Sequence, residues 1–272
     1  MTDDESWRTG MISVDSWQTP QRAYRFTEHT FVKRELRKSE LMQSIYGHTI
    51  QLPITSRAQL RNEYLFLQFL QGTQIPVPRP ISFAIEDDAA VLTTQLISNG
   101  IPLADYVQDD RKSVVQEVEA ELLDSIIPKL HQYTSHRVAG LDDDEQITLL
   151  PPRLTDCYKV IRHRFYTSRT TLHLCHNDLG QSNIFIDPTT HKIVAIIDWE
   201  YAGSYPPSFE AKLWRHHPVQ QEWDEHDPEA AIQLFDDLAA ESSSPAGIHL
   251  VESRDEGKGI QASEVVLQQV NQ

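Results

Sequence analysis

His176, Asp178 and Asn183 stand in the pattern H-x-D-x-x-x-x-N within the stretch L-C-H-N-D-L-G-Q-S-N. An apolar run, Ile193 to Ile197, follows and leads into Asp198 and the triplet D-W-E. A carboxylate, an amide and a second carboxylate in this order suit transfer of a phosphoryl group. One serves as base toward an attacking hydroxyl, and two oxygens hold a hard cation against the phosphates. Such a transfer needs little beyond positioning and charge neutralisation. By ordinary residue frequencies the four-residue gap pattern arises by chance in about one per cent of chains this long. Asp198 at the end of an apolar strand is a second, independent coincidence.

Each residue has a plainer reading to set beside this one. Asp178 follows the strand-like L-H-L-C and is read as the catalytic base, or as the carboxylate that orients the hydroxyl. Taken alone, a loop aspartate more commonly caps its own turn. Asn183 and Asp198 are read as Mg²⁺ ligands rather than a loop residue and a strand-end cap, because the two occur together. His176 is read as a structural residue that holds the loop, not as a proton carrier. Further upstream, Lys33 on the strand F-V-K and Glu63 on the following helix are read as the pair that fixes an ammonium against nucleotide phosphates. Glu63 falls inside the apolar arc of Leu60, Tyr64, Leu67 and Leu70, and an unpaired buried carboxylate is costly. It therefore needs a cation, with Arg34 and Lys38 as the alternatives to Lys33.

The elements that must carry these groups are legible in outline. Ala23 to Arg34 predicts a hairpin around a T-E-H turn. A helix is predicted over Arg57–Leu70, entered from Thr55 or Ser56. The run I-P-V-P-R-P, Ile75 to Pro80, must be extended. Ile81–Ile85 and Val91–Leu96 predict two strands joined by E-D-D-A, and Asn99-Gly100 then suggests a hinge. Beyond it, Val114, Val118, Leu122 and Leu130 mark a long helix over Ser113–Thr134 that Pro128 should kink. Another helix is predicted over Thr155–Tyr166, and a further one near Glu229–Glu241. Between Asn183 and Asp198 a hairpin turning at Asp187–His191 would bring the two metal candidates side by side. The resulting divisions are a polar N-terminal extension over 1–22 and a small lobe over 23–97 without a glycine-rich loop. A larger lobe over 98–241 holds the catalytic loop, and a poorly ordered tail covers 242–272.

Composition narrows the partners. The chain has 272 residues, enough for one large domain or two lobes. A formal charge of −16, from 24 basic and 40 acidic residues, argues against nucleic acid and against an anionic membrane surface. It suits a neutral or cationic small molecule, although acidic loops such as Asp142–Glu145 more commonly form solvated surface. Two cysteines, Cys157 and Cys175, with no CxxC pair, exclude a disulfide framework and a zinc cluster. No stretch approaches the ~20 apolar residues of a membrane span, and the acidic start lacks the features of a signal peptide. A cytoplasmic location is the expectation.

With these residues in view, the chain resembles the aminoglycoside phosphotransferase and choline kinase family, which has the protein-kinase-like fold. The resemblance runs from about Phe31 to Glu210. It is carried by C-H-N-D-L-G-Q-S-N and I-I-D-W-E, with support from F-V-K, R-N-E-Y-L-F-L-Q-F-L and I-P-V-P-R-P. The A-G-S-Y-P-P that follows is similar to the fungal branch of that family. The resemblance implies an α+β, two-lobe fold, with a small antiparallel-sheet N-lobe and a larger, mainly helical C-lobe. It implies ATP and Mg²⁺ as cofactors and a small-molecule hydroxyl as acceptor. Asp178 would be the catalytic aspartate, Asn183 and Asp198 the metal ligands, and Lys33 with Glu63 would meet the nucleotide phosphates. Backbone groups near Gln95–Ile97 would hold the adenine. D-W-E in place of D-F-G, with no A-P-E segment, disfavours a protein acceptor. Gly10 is the sole glycine before Lys33, so a G-x-G-x-x-G loop is absent and the nucleotide lid is expected to be short. A non-catalytic kinase-like scaffold is the rival expectation on that account.

Overall fold

The computed structural model describes residues 16–138, 140–141, 149, 166–220 and 268–269. Its first layer is an antiparallel sheet. Strands β1 (Ser16–Gln18), β2 (Arg22–Phe26) and β3 (Thr30–Glu35) follow one another in sequence and in space. The T-E-H turn lies where the sequence predicts it, with the Thr27 N–H donating to the Thr30 carbonyl at 2.8 Å. Helix α1 (Ser56–Leu70) comes next, then β4 (Pro80–Glu86) and β5 (Ala89–Gln95). These two strands meet at Asp87-Asp88, both left-handed with φ of 48° and 65°. That is a two-residue turn whose twist matches the strands. β5 inserts beside β3, giving the order β1-β2-β3-β5-β4.

The register decides what faces inward. Trp17, Tyr24, Lys33, Leu92 and Phe83 lie opposite one another across the five strands, so they share one face. Arg22 and Glu35, two residues along, share it too. Helix α1 packs on this face, with Leu60 against Ala90 and Leu92. Its far side, Phe66, Leu67 and Leu70, enters the main core with Leu103, Val118, Leu174 and Trp199. Of the predicted arc, Leu60, Leu67 and Leu70 are fully buried, while Tyr64 lies half-buried against Phe83. One helix thus presents apolar surface to two bodies, and Glu63 sits on it between them.

The Pro-rich connector is extended as expected, and its Pro76 carbonyl accepts the Ile196 N–H at 2.8 Å. After β6 (Ile101–Pro102) comes α2 (Arg111–Glu121). The helix widens into one π-turn over Leu122–Ile126 before α3 (Ile127–Leu130). Pro128 accounts for this, since its ring and missing N–H cannot fit the preceding α-turn. The predicted helix therefore ends four residues early, and β7 (Tyr133–Val138) takes up the chain.

β8 (Tyr166–Cys175), β9 (Ile184–Ile186), β10 (Ile193–Ile196), β11 (Gly203–Tyr205) and β12 (Gln268–Gln269) complete the described strands. They form two small sheets, β10-β9-β6 and β11-β8-β7-β12. The β9–β10 hairpin turns at Asp187–His191, where the Asp187 carboxylate accepts the Thr189 and Thr190 N–H groups at 2.7 and 3.0 Å. Gly100 serves packing: a Cβ there would collide with the Val194 side chain and lie 3.1 Å from the Ile186 carbonyl oxygen.

Residues 16–22, read from sequence as part of a polar extension, supply β1 and the turn into β2. Tyr166 begins a strand instead of ending a helix, and the rest of the helix predicted over 155–166 lies outside the described residues. So do the acidic loop Asp142–Glu145, the helix near Glu229–Glu241 and, apart from β12, the tail 242–272. Among the described residues no helix is long and apolar enough to cross a membrane.

Candidate active site

Strand β8 delivers the catalytic-loop motif at its end. His176 is fully buried, and its ring packs edge-on against Trp199 with centroids 4.5 Å apart. Its Nδ1 accepts the Asp178 N–H at 3.2 Å, so Nε2 carries the proton and donates to the Ile197 carbonyl at 2.9 Å. Both ring nitrogens are thereby spent on backbone, which ties the loop to the residue before Asp198. Asn177 adopts φ of 68°, a conformation asparagine tolerates, and its amide donates to the Tyr201 carbonyl at 3.0 Å.

A buried carboxylate holds the same loop from behind. Glu210 accepts the N–H groups of His176 and Asn177 at 2.6 and 3.1 Å. With its backbone fixed on both sides, Asp178 is half-buried and receives the Asn183 amide on its carbonyl at 2.8 Å and on Oδ2 at 3.1 Å. The Asn183 carbonyl in turn accepts the Ile197 N–H at 3.0 Å. Asp178, Asn183 and the start of D-W-E are therefore one hydrogen-bonded unit. Asp198 follows with φ of 67° and ψ of 51°, and its side chain is 30% exposed, the most open of the charged groups around Lys33.

Lys33 reaches across from the sheet. Its Nζ lies 2.9 Å from Glu63 Oε2, 3.0 Å from Glu200 Oε2, and in direct contact with Asp198 Oδ1. Lys33 and Glu63 are thus paired as the sequence reading expects, and Asp198, expected beside Asn183, also meets Lys33. Arg34 is turned to the opposite face and pairs with Glu40 at 2.8 Å, and Lys38 is exposed. Burial pulls the Lys33 ammonium down, but Asp198, Glu200 and Glu63 outweigh it and hold the group well above the ordinary lysine range. Glu63 responds the other way. Burial pushes it up, Lys33 pulls it back, and Asp198 and Glu200 crowd it further, leaving it at about 7. The two shifts have one cause: a single ammonium is over-supplied with carboxylates, and the most buried of these is under-compensated.

Gln95 and Ile97 lie outside this cluster, at the exit of β5. The Gln95 N–H donates to the Arg79 carbonyl at 2.8 Å and the Leu96 N–H to the His29 carbonyl at 2.9 Å. Among the described residues the Ile97 N–H has no acceptor.

Four participants escape the sequence reading. Glu200 is the third member of D-W-E, so its motif was visible but its reach to Lys33 was not. Arg22 stands 3.6 Å from Glu200. Asn62, fully buried on α1, donates to the Ala202 and Glu200 carbonyls at 2.9 and 3.2 Å, and its Oδ1 accepts the Leu141 N–H at 3.0 Å. Glu210, described above, closes the set. Asn62 clamps α1 to the D-W-E turn, which keeps the neighbouring Glu63 beside Lys33.

Glu63, Asp198 and Glu200 place one oxygen each within 4.8 Å of one another because all three converge on Lys33 Nζ. The more open Asp198 carboxylate and the Asn183 amide oxygen are the ligand type Mg²⁺ takes.

The family model described as "Phosphotransferase enzyme family" matches residues 21–243. The aminoglycoside 3'-phosphotransferase of Streptomyces fradiae is 26% identical over 165 residues, an alignment spanning 54% of this chain and 60% of the relative. The chain thus covers less than two thirds of that relative's length. Among solved structures, aminoglycoside phosphotransferase APH(3'')-Id from Streptomyces rimosus superposes with a TM-score of 0.50 at 17% identity, covering 90% of this chain and 93% of the other. A thermostable mutant of aminoglycoside phosphotransferase APH(4)-Ia, in ternary complex with AMP-PNP and hygromycin B, gives 0.50 at 13% identity over 88% and 92%.

Proposed function

Since the chain belongs to the phosphotransferase enzyme family and has its α+β, protein-kinase-like fold, we propose that it phosphorylates a hydroxyl of a small molecule, using ATP and Mg²⁺. The observation that carries this reading is Lys33 Nζ joining Glu63 to Asp198, with Asp198 linked through Ile197 to Asn183 and so to Asp178.

In this reading Asp178 accepts the proton of the attacking hydroxyl, or orients it, as the acceptor oxygen bonds to the γ-phosphorus and the bond to the leaving ADP breaks. Asn183 keeps that carboxylate aimed through its amide N–H and offers its oxygen to the metal. Asp198 is the second metal ligand. Bound Mg²⁺ supplies charge neutralisation on the phosphates. Lys33, held by Glu63, meets the α- and β-phosphates. The Gln95–Ile97 backbone receives the adenine, with the uncommitted Ile97 N–H as its donor. His176 holds the loop without exchanging a proton, since both its nitrogens are engaged.

For the acceptor, the structurally similar APH(4)-Ia is seen with hygromycin B, and the −16 charge suits a cationic, hydroxyl-rich molecule of that kind. The test is γ-phosphoryl transfer across a panel of aminoglycosides, choline-like bases, sugars and other hydroxylated metabolites, with Asp178→Ala as control. Transfer that is absent throughout, or equal in the two proteins, overturns the assignment.

A second reading has one observation in its favour. The β1–β2 turn carries no glycine and is closed by its own hydrogen bonds. A scaffold that no longer turns over ATP would show this. Calorimetry with Mg·ATP separates the two: a folded protein that does not bind it is a scaffold.

A further inference from the structure

A glycine-rich lid grips phosphates with free backbone N–H groups. Here none is left. The Thr19 N–H donates to the Arg22 carbonyl at 2.8 Å. The Arg22 and Gln21 N–H groups turn to Thr19 Oγ1 at 3.1 and 3.4 Å. Pro20 has no N–H. Beyond what Mg²⁺ supplies, charge compensation over the phosphates then falls to side chains.

Arg22 is the first residue past this turn. Among the strand residues on the Lys33 side of the five-stranded sheet, Arg22 and Lys33 are the cations. Arg22 is 3% exposed, and its guanidinium is held by several hydrogen bonds. Nη1 donates to Ser56 Oγ and to the Gln21 carbonyl, and Nη2 to the Ser56 carbonyl at 3.0 Å and Gln59 Oε1 at 2.9 Å. Nε is buried without a partner. Its charge faces Glu200 Oε2 at 3.6 Å, and that same oxygen lies 3.0 Å from Lys33 Nζ. Although flanked by two cations, this buried oxygen receives no directed hydrogen bond. It is held between the two cations by charge.

We propose that Arg22 is a second phosphate-recognising cation. With Lys33 it makes a two-cation site for the polyphosphate of a nucleoside di- or triphosphate, and Glu200 is the internal counter-anion that the nucleotide displaces. Charge here replaces the missing N–H cradle. This rests on the nucleotide-binding reading above and adds to it the residue that offsets the degenerate lid.

The alternative role for Arg22 is a strut between β2 and α1, and the number of phosphates separates the two. Adenosine, AMP, ADP and ATP are titrated by calorimetry into the wild type, Arg22→Gln, Arg22→Lys and Glu200→Gln, with thermal melts as the check on folding. Arg22→Gln should weaken ADP and ATP by about tenfold, leave adenosine unchanged, and flatten the salt dependence of ATP binding. Arg22→Lys should lose about threefold or less. Glu200→Gln, measured without Mg²⁺, should bind ATP more tightly and adenosine as before. Equal losses for adenosine and ATP, or no change for either, overturn the proposal. If Arg22→Gln does not fold, Glu200→Gln decides: ATP binding no tighter than in the wild type overturns it. Wild type that fails to bind Mg·ATP removes the proposed function itself, whereas wild-type binding with phosphate-independent variants removes this inference alone.

Discussion

The side-chain amide of Asn183 donates at once to the carbonyl of Asp178, at 2.8 Å, and to its carboxylate, at 3.1 Å. The proposed base and the proposed metal ligand are thus coupled before any substrate arrives. Asn183→Ala should lower kcat by about 10²-fold, as loss of one polar group acting on the transition state does, and should raise the Mg²⁺ needed for half-maximal rate. A magnesium titration of the transfer reaction checks both effects. A change in kcat with no change in the magnesium requirement would assign Asn183 to aiming Asp178 only.

Glu210 offers its carboxylate to two consecutive backbone N–H groups of the catalytic loop. Glu210→Ala leaves both buried donors without their acceptor and should cost about 3 kcal/mol in denaturant unfolding. Glu210→Gln keeps one acceptor oxygen and should cost about half as much.

Asn62 joins α1 to the D-W-E turn and to Leu141 through both ends of its amide. Asn62→Ala should cost about 2–3 kcal/mol, since it orphans buried backbone groups. Because Glu63 is its neighbour on the helix, the KM for ATP should rise more than that for the acceptor. Steady-state kinetics with each substrate varied in turn would show it. A Cβ at Gly140 would strike the Asn62 side chain, so Gly140→Ala should reproduce part of the effect.

Stability should also carry a pH signature from Glu63. Its carboxyl is pushed from 4.5 in the unfolded chain up to about 7 in the fold, chiefly by burial. A raised acid favours the folded state fully below 4.5, and that contribution is lost as the pH climbs through 7. Lys33, raised well above its ordinary value, stays charged through this window and adds no slope. Without metal or nucleotide, the wild type should lose stability relative to Glu63→Gln between pH ~4.5 and ~7. Melting curves that run parallel across that range would contradict the crowding of Glu63.

Local pattern made much of this legible. The apolar arc of α1, the T-E-H and Asp187–His191 hairpins, and the motif from His176 to Asp198 are all short-range, and the chain folds locally as they indicate. The pairing of Lys33 with Glu63 was accessible because a carboxylate inside an apolar arc demands a cation. Glu200 and Arg22 were not accessible in that way. Their contacts span the sheet, α1 and the D-W-E turn, and a charge on a strand does not announce which distant carboxylate it will meet. Glu210 was hidden for the same reason, since backbone N–H groups leave no trace in sequence. At Pro128 the kink was foreseen, but the π-turn that absorbs it depends on burying Leu122 and Ile126, a tertiary demand.

Transfer itself provides the sharpest test. Purified wild type and Asp178→Asn are compared for Mg·ATP affinity and for single-turnover transfer of radiolabelled γ-phosphate to the acceptor found in the panel. Nucleotide affinity should be equal in the two, and the transfer rate lowered by about 10²–10⁴-fold in Asp178→Asn, the range a positioned base contributes. Equal transfer rates in the two proteins would contradict Asp178 as the base.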